Sequence, residues 1–382
     1  MDVERFKKNE IISLVGARPR FDMGESYGVN LRLGEVLGSD VSGELAELEL
    51  DYGTAQGNAQ LRAAIASLQG VGADDVIVTS GAMHALFLVA FVLCQRDDEA
   101  VLTSPIFPPA RSALDAIGVR SRIVSVAFEN GYRLDPDELD AQLSARTRLI
   151  SVASPQNPSG TNIPIAVLRD ILARMEKKSP RAYLLVDDTY REATYDDGPA
   201  AESAASLGPR VLTVASLSKA YGTPGVRLGW VTTTNATLRE QIILGKFNTT
   251  ISNPAIEELL ALRVLEKRDS IVSERGRSLA ERLSVMQAWV EKHRALVEWV
   301  KPDAGAICCV RLRPDIFDEG AVERFHAELT RVGARVAKGA WFGDEPHVFR
   351  IGFARLPMSD FQLALDLLAT ALQQVSAKAV LS

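Results

Sequence analysis

Between Val76 and Val231 the chain alternates short, continuously apolar runs with longer stretches of helical period. Seven runs read as strands: Val76–Thr79, Ala100–Thr103, Arg122–Val126, Arg148–Ala153, Tyr183–Val186, Val211–Ala215 and Gly229–Thr232. Most do not alternate apolar with polar positions, so the sheet they build must be covered by helices on both faces. The segments Ala82–Gln95, Pro109–Ile117, Pro136–Leu143, Ile165–Lys177 and Leu238–Phe247 supply those helices. This alternation predicts an open, mostly parallel α/β sheet. Beyond Pro254 the pattern changes to long charged helices as far as His293, then strands near Ile307–Leu312, Arg335–Ala337 and Val348–Ile351 and a closing helix from Met358. That change predicts a smaller α+β domain. The expected division is an N-terminal segment 1–45 packing on the small domain, a large domain 46–275 and a small domain 276–382, so that both chain ends build the small unit.

Composition narrows the function classes. The 382 residues are 47% hydrophobic and 24% charged, ordinary for a globular chain. Lys plus Arg number 43 against 49 Asp plus Glu, and the net charge of −6 disfavours a nucleic-acid or anionic-membrane partner. An anionic ligand must therefore be held locally. Cys94, Cys308 and Cys309 make neither a disulfide framework nor a zinc spacing, and they suit a reducing, cytoplasmic compartment. Cys308 and Cys309 are expected to point to opposite faces of one strand. Met1–Glu10 holds charges of both signs and no apolar stretch, and the run Ala85–Cys94 is half a membrane span, so neither signal peptide nor anchor is expected. His84, His293, His326 and His347 show no metal-ligand spacing.

In open parallel sheets ligands bind beyond the carboxyl ends of the strands, so the residues after each run come next. After the first stands Thr79-Ser80-Gly81-Ala82-Met83, a small-residue turn opening a helix. Its free amides suit a phosphate, and a plain turn fits as well. After Ala153 comes Ser154-Pro155-Gln156-Asn157-Pro158, in which Pro158 holds Asn157 extended. Asp187 follows the apolar Leu184-Leu185-Val186, as either a helix N-cap or a partner for a buried cation. Ser216-Leu217-Ser218-Lys219 ends the next strand, with Arg227 eight residues on. Its small apolar neighbours argue for a covered lysine.

This ordered set resembles the fold-type I pyridoxal-phosphate enzymes of the class I/II aminotransferase family. The resemblance runs from about Leu50 to Ala354, through Tyr52–Gly57 with Arg62, Ser80–Ala82, Asn157–Gly160, Asp187–Tyr190, Ser216–Lys219 with Gly225–Gly229, and Phe349–Phe353. It implies pyridoxal 5'-phosphate as cofactor, a Schiff base at Lys219, and proton transfer at the substrate Cα by the freed amine. That amine must be neutral, and burial with Arg227 nearby lowers its pKa. By the same resemblance Asp187 pairs with the pyridine nitrogen, and Asn157 and Tyr190 hydrogen-bond the phenolic oxygen. Gly81, Ala82, Met83, Ser216, Ser218 and Arg227 receive the phosphate, and Phe107 stacks on the ring. Arg350 clamps the substrate α-carboxylate. Tyr52 reaches the neighbouring subunit's cofactor, which implies a homodimer with shared sites; a tyrosine buried in its own subunit is the competing account.

The expected activity is transfer of an amino group between an L-amino acid and a 2-oxo acid. The same residues serve β-elimination, cyclisation or oxidation at Cα or Cβ, because the cofactor carries the common chemistry and the pocket selects the bond. A transcription regulator of this fold is disfavoured, because only about fifty residues precede Tyr52. Two departures bear on the substrate. The N-terminal substrate-facing segment reads Asp22-Met23-Gly24-Glu25-Ser26-Tyr27-Gly28-Val29-Asn30 where the family has a Gly-x-Gly or Gly-x-Pro flavour. Glu25, Ser26, Tyr27 and Asn30 then line the pocket with polar groups, with Tyr27 a substrate contact. Gly305-Ala306 also replaces a frequent Gly-Gly. A polar or basic amino acid suits this segment, and no second side-chain-binding arginine is found by motif.

Overall fold

The seven apolar runs form one sheet. The computed structural model describes residues 4–38 and 41–379; residues 1–3, 39–40 and 380–382, which belong to the expected terminal segments, lie outside the described residues. After a short strand β1 (Phe21–Asp22) come β2 (Val76–Thr79), β3 (Glu99–Ser104), β4 (Arg120–Ser125), β5 (Thr147–Ala153), β6 (Tyr183–Asp187), β7 (Val211–Ser216) and β8 (Gly229–Thr232). Strands β2 to β8 lie in the order β2-β8-β7-β6-β5-β3-β4. Strand β8 is antiparallel to both neighbours and every other pairing is parallel.

Burial explains the unbroken apolar runs. Along β6, Leu184 and Val186 join the core under helix Ile165–Lys178, whereas Leu185 joins the opposite one under helix Gly81–Leu93. Successive side chains point to opposite faces, so a strand covered twice needs apolar residues at every position. The edge strand β4 is the exception, with Arg120 exposed and Val124 buried, which suits an edge kept from pairing further.

The second half adds β9 (Val297–Val300), β10 (Ile307–Leu312), β11 (Ala334–Arg335), β12 (Ala337–Lys338) and β13 (Val348–Gly352). Four of them make an antiparallel sheet in the order β12-β13-β10-β9. The predicted run Arg335–Ala337 is split, because β11 and β12 on either side of Val336 pair with different partners. Cys308 and Cys309 on β10 are both buried and enter different cores. The boundary expected between residues 275 and 276 falls inside one continuous helix, Arg268–Lys292, which runs through Gly276, where a Cβ would lie 2.4 Å from the Asp196 carbonyl oxygen. No helix among the described residues is long and apolar enough to cross a membrane.

The N-terminal segment is tied to the far end of the chain. Strand β1 runs parallel to β11, pairing Phe21 with Ala334 and Asp22 with Arg335. An ion pair at 2.7 Å between the Arg335 guanidinium and the Asp22 carboxylate reinforces the pairing. The Gly352 N–H then donates to the Met23 carbonyl at 2.7 Å. A Cβ at Gly352 would lie 1.6 Å from the Glu25 carbonyl oxygen, so only glycine lets the segment pass this close to β13. Residues 23–28 are thereby laid against the carboxyl ends of the large sheet.

Candidate active site

The side chains singled out in the sequence converge beyond the carboxyl ends of β2, β5, β6 and β7. Between β2 and β7 lies β8, and Gly229 at its start faces Thr79 on one side and Ser216 on the other. A Cβ there would come within 2.6 Å of the Ala215 carbonyl and the Ala82 amide. The bare backbone at Gly229 thus admits the N-terminus of helix Gly81–Leu93 against the end of β7. Gly81 has φ +78°, and a Cβ on it would lie 2.6 Å from Arg227 Nη2. Arg227 itself adopts a left-handed conformation and donates Nη1 to the Pro224 carbonyl at 3.0 Å. Ser216 and Ser218 are buried, with the Ser218 N–H directed to Ser216 Oγ at 3.4 Å. A guanidinium, two hydroxyls and the amides of a helix start therefore surround one small cradle. Asn253, which the sequence reading did not single out, joins its rim through Nδ2 to Ser80 Oγ at 3.4 Å.

A second group lies at the ends of β5 and β6. Asp187 accepts the Thr189 N–H at 3.0 Å, and burial raises its pKa against the opposing pull of Thr189 and Lys219. Asn157 holds two partners at once. Its Nδ2 points to Tyr190 OH at 3.5 Å, and its Oδ1 accepts Arg350 Nη1 at 2.6 Å. Tyr190 is buried, and burial pushes its phenol up to about 12.

Arg350, on β13, is 1% exposed. Its Nη2 donates to the Gly24 carbonyl, its plane lies over Phe342 with 4.7 Å from Cζ to the ring centre, and its Nε has no hydrogen-bond partner. Phe342 was not singled out in the sequence, where it stands beside Trp341 in a short turn with no motif to mark it.

Lys219 stands between these groups. Its Nζ donates to Ser26 Oγ at 2.8 Å and lies 5.2 Å from the centre of the Tyr27 ring and 6.0 Å from that of Tyr190. The Tyr27 hydroxyl accepts Arg18 Nη2 at 2.8 Å. Burial brings the Lys219 amine down to about 8, with Glu25 acting upward and Arg350 downward as the strongest charges. Arg227, expected to be the lowering cation, acts in that direction but more weakly than Arg350.

Phe107 and Tyr52 make none of the contacts described so far. Phe107 sits half-buried at the N-cap of helix Pro108–Ile117. Tyr52 is 76% exposed and lines a surface cleft with Thr250 and Asn253, apart from the cavity beside Lys219. The account in which Tyr52 is buried within its own subunit is thereby overturned: residues 50–53 are all exposed.

A model of the family described as aminotransferase class I and II matches residues 45–368. The chain belongs to this family. It is 31% identical over 322 residues to capreomycidine synthase of Streptomyces vinaceus, covering 81% of this chain and 78% of that protein. It is 33% identical over 187 residues to an arginine–pyruvate transaminase of Pseudomonas aeruginosa, 47% of each chain. The fold matches the crystal structure of the PLP-dependent cyclase OrfR with a TM-score of 0.84 at 25% identity, covering 96% of this chain and 98% of that one. Pyridoxal phosphate is the cofactor of this class, and the residues present fit it. The cradle at Gly81 and Arg227 matches a phosphate, and the unpartnered Arg350 Nε matches a carboxylate-bearing substrate. Among the described residues no cluster of His, Cys, Asp and Glu could hold a metal ion.

Proposed function

We propose that this class I/II enzyme is an aminotransferase that moves an amino group between an L-amino acid and a 2-oxo acid, with Lys219 as the residue that carries the cofactor. The observation that carries the reading is the juxtaposition of a lysine brought down to about 8 with the buried Arg350–Asn157–Tyr190 chain. When bound, the cofactor acts as an electron sink for the carbanion formed at the substrate Cα. Everything else falls to the chain's own residues. Lys219, neutral in a sizeable fraction near its pKa, can take and return the Cα proton, and Ser26 holds its Nζ in place. Asp187 gains from a cation set against its buried carboxylate, and a protonated pyridine nitrogen supplies one. Asn157 and Tyr190 present hydrogen-bond donors to the phenolic oxygen. Gly81, Ala82, Met83, Ser216, Ser218 and Arg227 receive the phosphate, and Phe107 is assigned the stacking position.

Arg350 takes the α-carboxylate. A guanidinium has five N–H donors. Two are engaged with Asn157 and Gly24, and Nε remains free, so a bidentate grip needs no rearrangement of the existing bonds. Tyr52, exposed in the single chain, suits a role in a homodimer, where it would enter the partner's site.

The likeness to capreomycidine synthase and to a structurally characterised cyclase favours a second reading, cyclisation of the substrate side chain in the same site. An amino-donor screen separates the two. Loss of the cofactor's near-visible absorbance with release of the matching 2-oxo acid supports transamination. A cyclic product of unchanged nitrogen count, identified by mass spectrometry, supports cyclisation. A screen in which no amino acid alters the absorbance overturns both.

A further inference from the structure

The substrate-facing segment carries a carboxylate that the roles above do not use. Glu25 is 7% exposed. It follows Gly24, whose carbonyl accepts Arg350, and precedes Ser26, whose hydroxyl accepts Lys219. It is therefore one residue from each end of the cradle for the substrate's carboxylate and α-carbon. Among the described residues its side chain accepts no hydrogen bond. Its one ion contact, Arg18 at 3.8 Å, lies beyond hydrogen-bond distance, and that guanidinium donates instead to Tyr27. The carboxylate acts on Lys219, Tyr190 and Arg350, so it stands beside the reacting centre.

The adjoining cavity, of about 310 Å³, is lined by Ser26, next to Glu25 in the chain, by Tyr190 and Lys219, and by two acids, Glu35 and Glu274. Glu274 makes no ion pair among the described residues. Glu35 spends one oxygen on the Arg32 N–H at 2.7 Å. The cavity's other cation, Arg275, is used as a buttress. Its Nη2 donates to the Val29 carbonyl, and its guanidinium packs so closely on Gly222 that a Cβ there would lie 2.1 Å away. Glu274 and the second Glu35 oxygen accept no hydrogen bond among the described residues, whereas Arg275, on which both acids act, is held to the backbone.

Resting on the reading of this site as one for an amino acid, we propose that the preferred substrate bears a cationic side chain, an amine or a guanidinium, and that Glu25 is the specificity-determining residue that selects it. An acidic side chain would bring like charge beside Glu25 in a partly enclosed cavity. A neutral one would leave the carboxylate uncompleted.

The test uses the holoenzyme and matched donors: L-arginine, L-ornithine, the neutral arginine isostere L-citrulline, and L-glutamate. The rate of loss of the cofactor absorbance is followed against donor concentration. The expected result is a rate constant over KM at least tenfold higher for arginine or ornithine than for citrulline, with glutamate lowest. Glu25→Gln should cut the arginine-to-citrulline ratio at least fivefold, and Glu25→Asp should restore part of it. Glu274→Gln at the outer rim, which leaves the inner site intact, should lower the ratio by a smaller factor. Citrulline or glutamate converted as well as arginine by the unaltered enzyme overturns the proposal while leaving the amino-acid reading standing. A ratio unchanged in Glu25→Gln overturns the role of Glu25. Absence of any change with every donor overturns the functional reading and this inference with it.

Discussion

Replacing Arg350 tests the geometry most directly, because its surroundings are fully specified. The guanidinium is 1% exposed, bonded to Asn157 Oδ1 at 2.6 Å and to the Gly24 carbonyl, with Nε free. Charged hydrogen bonds contribute roughly 1.5–3 kcal/mol each, so losing two to a substrate carboxylate costs about 3–6 kcal/mol. That corresponds to a fall of about 10²- to 10⁴-fold in the rate constant over KM of the half-reaction. Arg350→Lys keeps the charge but has three donors on a flexible stem, so it should sit at the lower end of that range, with the loss chiefly in KM. Arg350→Gln removes the charge as well and should sit at the upper end. The assay is stopped-flow loss of the cofactor absorbance with increasing donor, alongside cofactor content and thermal unfolding to confirm an intact holoenzyme. A second readout is independent of substrate. Arg350 is the strongest cation lowering the Lys219 amine, so Arg350→Gln should move that amine above about 8 and Arg350→Lys should not. A KM within threefold of the unaltered enzyme in both variants would refute the clamp.

Other outcomes follow from the same structure. Capture of added cofactor by apo-protein requires a neutral Lys219 amine, so its rate should rise with pH through about 8 and then level, with the midpoint shifted down in Glu25→Gln. Gly81→Val should leave the fold intact by circular dichroism but strip the cofactor on gel filtration, since its Cβ would press on Arg227 Nη2 at 2.6 Å in a left-handed conformation; retention of stoichiometric cofactor would contradict the cradle. Glu99 is held at about 2 by Arg122 foremost, with Ser144 and Arg146, below an unfolded value near 4.3. Its stabilisation is therefore complete above the unfolded pKa and lost as pH falls toward about 2, and Glu99→Gln should remove about 2–3 kcal/mol at pH 7 but little at pH 2 in urea titrations.

The parts of this molecule legible in the sequence are those fixed by local pattern. Strands such as β6 announce themselves because both faces are buried, and Asp187, Asn157 and Lys219 could be found because a parallel sheet gathers its strand ends at one side. What stayed hidden depends on distant partners. Two-residue strands such as β1 carry no period, and the half-exposed β9 along a sheet edge carries little. Asn253 gains meaning only from Ser80, 173 positions away, and Phe342 only from the fold that lays the Arg350 guanidinium over its ring. The order of charges acting on Lys219 was also out of reach. Arg227 is the nearer cation in sequence, yet the fold puts Arg350 in the stronger position.

The pairing of β1 with β11, and the pass of Met23–Glu25 across Gly352, link residues more than 300 positions apart. During synthesis the large sheet can assemble as its strands emerge, N-terminal parts first. The substrate-facing segment cannot dock until β13 has left the ribosome, although it is made before every strand of the large sheet. The pocket is thus finished last. A shortened chain ending before Val348 would keep the phosphate cradle at Gly81 and Arg227 but would have neither Arg350 nor a surface on which to lay Glu25 and Ser26. Cofactor retention and substrate conversion would then part company, which makes arrival of the C-terminal sheet the step that turns a cofactor-binding fold into an enzyme.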